Sequence, residues 1–132
     1  MATLDNLKHD TYCRLKCSKV HGVGVFAIKD IPRSTNPFKK VYTQNKAVCI
    51  LDTEIRKLDP EIRKLVKDFT QKEDDGKWYV PLSGFNSMDI SFYINHNDHP
   101  NLAMVNGVED LVMFKANRNI KKGEELTINY KD

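Results

Sequence analysis

The chain has 132 residues, 40% hydrophobic and 30% charged, with a formal net charge of +3. That length fits one domain with a core that needs neither disulfides nor a structural metal. The small charge gives no reason to expect direct nucleic-acid binding, no stretch approaches the ~20 apolar residues of a membrane span, and Met1 to Tyr12 lack the apolar run of a secretory leader.

Residues 1–10 are polar and read as a loose start. Residues 12–18 alternate, with Tyr12, Arg14 and Lys16 against Cys13, Leu15 and Cys17. That period of two predicts a strand with one buried face. Cys13 and Cys17 would then lie roughly 13 Å apart at ~3.3 Å per residue, too far for a disulfide. With Cys49 they make an odd, unpaired set of three, which fits reduced thiols and an intracellular setting, cytoplasmic or nuclear. A glycine turn at residues 20–24 leads to a second strand at 25–28. Residues 30–37 read as turns, and residues 38–51 as mixed strand pieces ending in the apolar run Ala47-Val48-Cys49-Ile50-Leu51.

The clearest helix follows. Asp59 is a natural N-cap and Pro60 a natural first helical residue. Ile62, Leu65, Val66 and Phe69 then share one apolar face at i, i+3, i+4 and i+7. An aromatic strand is expected over 77–82, a turn at 84–87, a hairpin of 102–106 with 111–116 around Gly107, and a last strand over 125–130. Many short strands with one good helix give an α+β domain that is mostly β.

Three stretches carry chemistry. In Ser91-Phe92-Tyr93-Ile94-Asn95-His96-Asn97-Asp98-His99-Pro100-Asn101 an apolar lead-in runs into amide, imidazole and carboxylate groups, then a proline that fixes the backbone. The mixture suits a segment anchored at one end that faces a ligand with the other. His21-Gly22-Val23-Gly24 lacks the third glycine and opening helix of a dinucleotide fingerprint, and its glycines more often serve backbone geometry. Gly123-Glu124-Glu125-Leu126-Thr127-Ile128-Asn129-Tyr130 alone is an ordinary final strand. His96, Asp98 and His99, with His21, form an incomplete set for zinc or iron, so no metal is expected. Lys39-Lys40 and Lys121-Lys122 are isolated pairs that read as solvated surface.

Together, in this order and spacing, these stretches resemble the SET-domain protein lysine methyltransferases, and most closely the small stand-alone ones. The family has a Gly-x-Gly turn before an apolar-Phe-Ala run, here His21 to Ala27. It has Asn-His-Ser followed by Pro-Asn, here Asn95-His96-Asn97 then Pro100-Asn101, with Asn97 where serine is usual. It closes with Gly-Glu-Glu-Leu-Thr and a tyrosine three residues on, here Gly123 to Thr127 and Tyr130. The resemblance covers about residues 12–130.

The resemblance implies a SET fold of several small sheets with a C-terminal pseudoknot, in a single domain over 1–132 with an insert at about 52–88 that shapes substrate choice. It implies S-adenosylmethionine as cofactor. The backbone of Gly22, Val23, Gly24 and Val25 would hold its methionine part, and the Asn95 side chain with the His96 backbone its amino and adenine ends. Tyr130 is implied as the catalytic hydroxyl, and Tyr93 as a channel-wall residue or equally a core aromatic. The implied substrate is a protein with an accessible lysine, a histone being one possibility. The cysteine-rich segments that flank many relatives have no counterpart here. A second subunit in a homodimer, the substrate, or closure around the cofactor could complete the channel wall. The alternative is a SET-like protein-binding module with weak or no transfer.

Overall fold

The computed structural model describes residues 1–42, 47–106 and 112–131. In chain order the elements are α1 (Ala2–His9), β1 (Cys13–Cys17), β2 (Val23–Ala27), β3 (Ala47–Leu51), α2 (Asp52–Ile55), α3 (Pro60–Phe69), β4 (Lys77–Pro81), β5 (Asn95–His96), β6 (Leu102–Asn106), β7 (Val112–Ala116) and β8 (Glu125–Ile128). Short 3₁₀ turns cover Phe85–Ser87 and Ile90–Tyr93. The mostly β, α+β architecture is the one expected. The chain forms two units, one from its two ends and one from residues 47–88 of its middle.

The first unit holds a four-stranded sheet in the order β1-β2-β8-β5, and a hairpin of β6 with β7. β1 pairs antiparallel with β2 from Cys13↔Ala27 to Cys17↔Val23, and β2 pairs antiparallel with β8 at Val25↔Leu126 and Phe26↔Glu125. β8 then pairs in parallel with β5, at Asn95↔Thr127 and His96↔Ile128. A parallel pair needs a long connection, and here the intervening chain includes the β6–β7 hairpin. The core gathers Val25, Ile31, Leu102, Ile120 and Leu126, all essentially inaccessible to solvent. Full burial stabilises each such side chain by about 1.5–3 kcal/mol.

The second unit pairs β3 with β4 antiparallel, from Ala47↔Pro81 to Leu51↔Lys77. Ile55 of α2, Val66 of α3 and Trp78 of β4 form its core, with Ile50 and Phe85 against them. Asp59 caps α3 as the sequence predicts, accepting a 2.9 Å bond from the Glu61 amide, with Pro60 in the first turn.

Four expectations need correction. Residues 2–9 are helical although none is buried; Asp5 in the first turn and Lys8 and His9 in the last complement the helix dipole, and Asn6 Nδ2 bonds the Lys39 carbonyl at 2.8 Å. β1 buries only Cys13, while Leu15 and Cys17 are exposed. It is an edge strand, and the core lies under its first residue alone. Burial pushes the Cys13 thiol up to about 12. Val23 and Gly24 belong to strand β2 rather than to the turn before it. On α3 the expected apolar face is only partly used, with Val66 buried and Ile62 45% exposed. The β6–β7 hairpin is present as expected, and its expected turn at Gly107 lies outside the described residues.

Candidate functional site

The parallel pairing of β5 with β8 sets two polar segments side by side although more than thirty residues separate them. Asn95 opens β5 and is 7% exposed. Its amide nitrogen donates to the His21 carbonyl at 3.1 Å, the Val23 carbonyl at 3.2 Å and Glu125 Oε2 at 2.8 Å. The glycine turn therefore folds directly onto the segment that leads the site.

Gly22 and Gly24 serve in different ways. Gly22 has φ of +47° and a Cβ built there would meet nothing within 4 Å. Open space lies beside its backbone. At Gly24 a Cβ would sit 2.4 Å from Glu125 Oε2 and 3.1 Å from Asn95 Nδ2, so a side chain there fits only if the Glu125 carboxylate moves from its place. Val25 is fully buried, between Leu15 and Leu126 in the sheet, while Val23 is 43% exposed. The accessible part of this turn is thus its first half.

His96 and Tyr130 lock together at the other end. The Tyr130 amide donates to His96 Nδ1 at 3.0 Å, and Nε2 lies 2.9 Å from Asp98 Oδ1. An imidazole that accepts at Nδ1 carries its proton on Nε2 when neutral, which matches the Asp98 contact. The Asn97 amide donates to the Ile128 carbonyl at 2.9 Å, and its side-chain oxygen accepts from the His99 amide at 2.8 Å. The residue standing in place of the usual serine therefore builds the turn that follows β5.

The Tyr130 hydroxyl donates to the Ile94 carbonyl at 2.7 Å, and its ring lies 5.2 Å from that of His96. Burial, with the Glu125 carboxylate adding to it, raises the phenol above its ordinary value. It stays a neutral hydroxyl at physiological pH. Tyr93 closes the 3₁₀ turn before β5 and packs half-buried against the core of the first unit. Asp89 caps that turn at the Ser91 amide, 2.9 Å away. Burial opposes ionisation of Asp89, yet hydrogen bonds from Lys40 and Ser91 outweigh it and hold the carboxyl below its usual range.

Three further residues belong to the site that motif reading gave no separate role. Glu125 accepts from Ser18 Oγ, at 2.7 and 2.9 Å from its two oxygens, as well as from Asn95. Asn101, 3% exposed, donates to the Glu125 carbonyl and accepts from the Thr127 amide, both at 2.8 Å. Ser18 offers no signal in sequence, since its partner lies 107 residues away. Asn101 and Glu125 do sit in recognisable motifs, and the pairing between those motifs is what gives them a task.

A family model described as the SET domain matches residues 22–131. The chain belongs to the SET-domain family. The crystal structure of a candidate histone methyltransferase from Plasmodium falciparum is similar to this SET domain with a TM-score of 0.57 and 19% identity, covering 91% of this chain and 93% of that one. That likeness is one of fold. No curated protein matches the chain. Among the described residues of this SET domain, no helix is long and apolar enough to cross a membrane, and no group of three His, Cys, Asp or Glu is placed to hold a metal ion.

Proposed function

We propose that this protein is an S-adenosylmethionine-dependent methyltransferase acting on the side-chain amine of a protein lysine. The observation that carries this reading is the convergence on β8 of three separate motifs: the Gly22–Gly24 turn through Asn95, the Asn95-His96 pair, and Tyr130 through His96 and Ile94. The parallel pairing of β5 and β8 supports the threaded, pseudoknot arrangement of the tail.

The residues fit the cofactor. Gly22 leaves open space beside a backbone that a ligand can approach closely. The exposed backbone of Gly22 and Val23 would hold the methionine part, with the buried Gly24 and Val25 behind it as support, and the Asn95 side chain with the His96 backbone would hold the amino and adenine ends. S-adenosylmethionine supplies the electrophilic methyl on its sulfonium.

The work of this chain is positioning and electrostatics. Lysine, with an ordinary pKa of ~10.4, is protonated in water, and burial favours its neutral form. Tyr130 spends its proton on the Ile94 carbonyl, which leaves its oxygen lone pairs with which to accept the amine N–H. A phenol raised above its ordinary value keeps that proton and orients the amine rather than acting as a base. Tyr93 is assigned to the channel wall. The partner is a protein with an accessible lysine, in the cytoplasm or nucleus, and the insert at about 52–88 selects it.

The test is titration of the protein with S-adenosylmethionine and S-adenosylhomocysteine by calorimetry, followed by radiolabelled methyl transfer to lysine-rich proteins. One site per chain for both ligands, with transfer to a lysine, is the expected result. Binding without transfer to any protein would favour the binding-module alternative. Absence of binding at millimolar ligand would remove the cofactor.

A further inference from the structure

Glu125 is a carboxylate in the site to which no step above assigns a task. It lies half-buried on β8, between Asn95 and Ser18. Ser18 Oγ donates to both carboxylate oxygens and accepts from the Val20 amide at 2.9 Å and the His21 amide at 3.5 Å. The Ser18 amide in turn donates to the Gly22 carbonyl at 2.7 Å. One carboxylate thus ties together the glycine turn, β5 and β8.

Each group that meets Asn95 Nδ2 is an acceptor: two carbonyl oxygens and Glu125 Oε2. Only the nitrogen of the amide can face them, so Oδ1 is turned away. The contact to Glu125 is the shortest of the three and is charge-assisted, a class roughly twice as strong as a neutral hydrogen bond. An amide oxygen accepts and cannot donate. What it can receive is a donor, and a cationic donor best. The negative charge of Glu125 behind the amide strengthens that preference. The space for this arrangement is reserved by Gly24, where a Cβ would collide with Oε2.

We propose that Glu125, held by Ser18, is a positioning residue that orients Asn95 so that its Oδ1 receives the ammonium at the amino-acid end of S-adenosylmethionine. The proposal rests on the cofactor reading above. Glu125 acts through Asn95 and touches no reacting atom.

The experiment compares two probes by calorimetry, with displacement where direct heat is small. S-adenosylhomocysteine carries the amino-acid end, and methylthioadenosine lacks it. In Glu125→Ala the Kd for S-adenosylhomocysteine should rise about tenfold, and in Ser18→Ala a few-fold, while methylthioadenosine binds both variants as it binds the unmodified protein. Melting temperatures identify any variant that does not fold, and Ser18→Ala carries the test if Glu125→Ala fails to. Equal weakening of both probes would mean that Glu125 only supports the shape of the turn, and would overturn the proposal. Unaltered affinity for S-adenosylhomocysteine would overturn it too. If the unmodified protein binds neither probe, the cofactor reading falls and this proposal with it. Binding by the unmodified protein with indifferent variants removes this proposal alone.

Discussion

Two glycines of one turn are required for different physical reasons, and substitution separates them. Gly22→Ala meets open space and bears only the left-handed backbone penalty, about 1–2 kcal/mol. Gly24→Ala drives a methyl into the Glu125 carboxylate, and overpacking of that kind costs about 1–3 kcal/mol. Urea unfolding should therefore show a loss for both. Only Gly24→Ala should regain part of it when combined with Glu125→Ala, and equal recovery in both backgrounds would contradict the steric reason. Tyr130→Phe removes the oxygen while leaving the ring on His96. Cofactor affinity should persist and turnover should fall about 10²-fold or more, in line with loss of one well-placed electrostatic group. Unchanged turnover would end the role given to this hydroxyl. At this scale Gly22, Gly24, Asn95, His96 and Tyr130 stand out as candidates through the resemblance of three motifs taken in order, since the glycine turn and the final strand are ordinary when read alone. Ser18 is illegible, since a serine following a strand looks like any surface turn.

Elements are legible where burial and capping agree. α3 announces itself through Asp59, Pro60 and an apolar face, and the structure keeps the cap. α1 gives no such signal because nothing in it is buried, and periodicity reports burial rather than helicity. β1 shows the converse limit: alternation marks a strand and does not reveal that the strand lies at an edge. The turn from β3 into α2 carries a prediction of its own. Asp52 Oδ1 accepts from Trp78 Nε1 at 2.9 Å, and Oδ2 lies 2.7 Å from Arg56 Nε and 3.9 Å from Lys72 Nζ. The Trp78 hydrogen bond is the largest reason its carboxyl titrates below the usual range, with the Arg56 and Lys72 charges adding to it. A folded value below the unfolded one contributes stability that is present above the unfolded value, ~3.9, and lost as pH falls through the folded value. Trp78 is the only tryptophan, so its fluorescence reads the second unit. Below about pH 4, the fluorescence-detected urea midpoint should drop more steeply in the unmodified protein than in Asp52→Asn. Parallel acid slopes would show that the pair does not matter.

The molecule as a whole depends on how the segment from β5 to Asn101 meets the tail, and one buried amide does much of the joining. Leu126 and Thr127 lie in the interior of the first unit, and β8 stands between β2 and β5. Asn101 reaches β8 from outside the strand ladder, satisfying the Glu125 carbonyl and the Thr127 amide with a single side chain. Its own carbonyl accepts from the Asn117 amide at 3.0 Å, and Asn117 Nδ2 bonds the Pro100 carbonyl at 3.0 Å. The arrangement needs a donor and an acceptor at fixed spacing, which among side chains of this size and shape an amide provides at neutral pH and an ionised carboxylate does not. Asn101→Ala should orphan two backbone groups, at about 1–3 kcal/mol each, without adding any charge. Asn101→Asp keeps the acceptor for Thr127 and places a second acceptor against the Glu125 carbonyl. It should therefore be no better than alanine at neutral pH, and should recover as the carboxyl is protonated in acid. Because Glu125 belongs to the same strand, both variants should also lose affinity for S-adenosylhomocysteine. Denaturant unfolding at pH 7 and pH 4 with a parallel ligand titration checks both consequences. Stability equal to that of the unmodified protein in either variant would show that the sheet holds β8 without this residue.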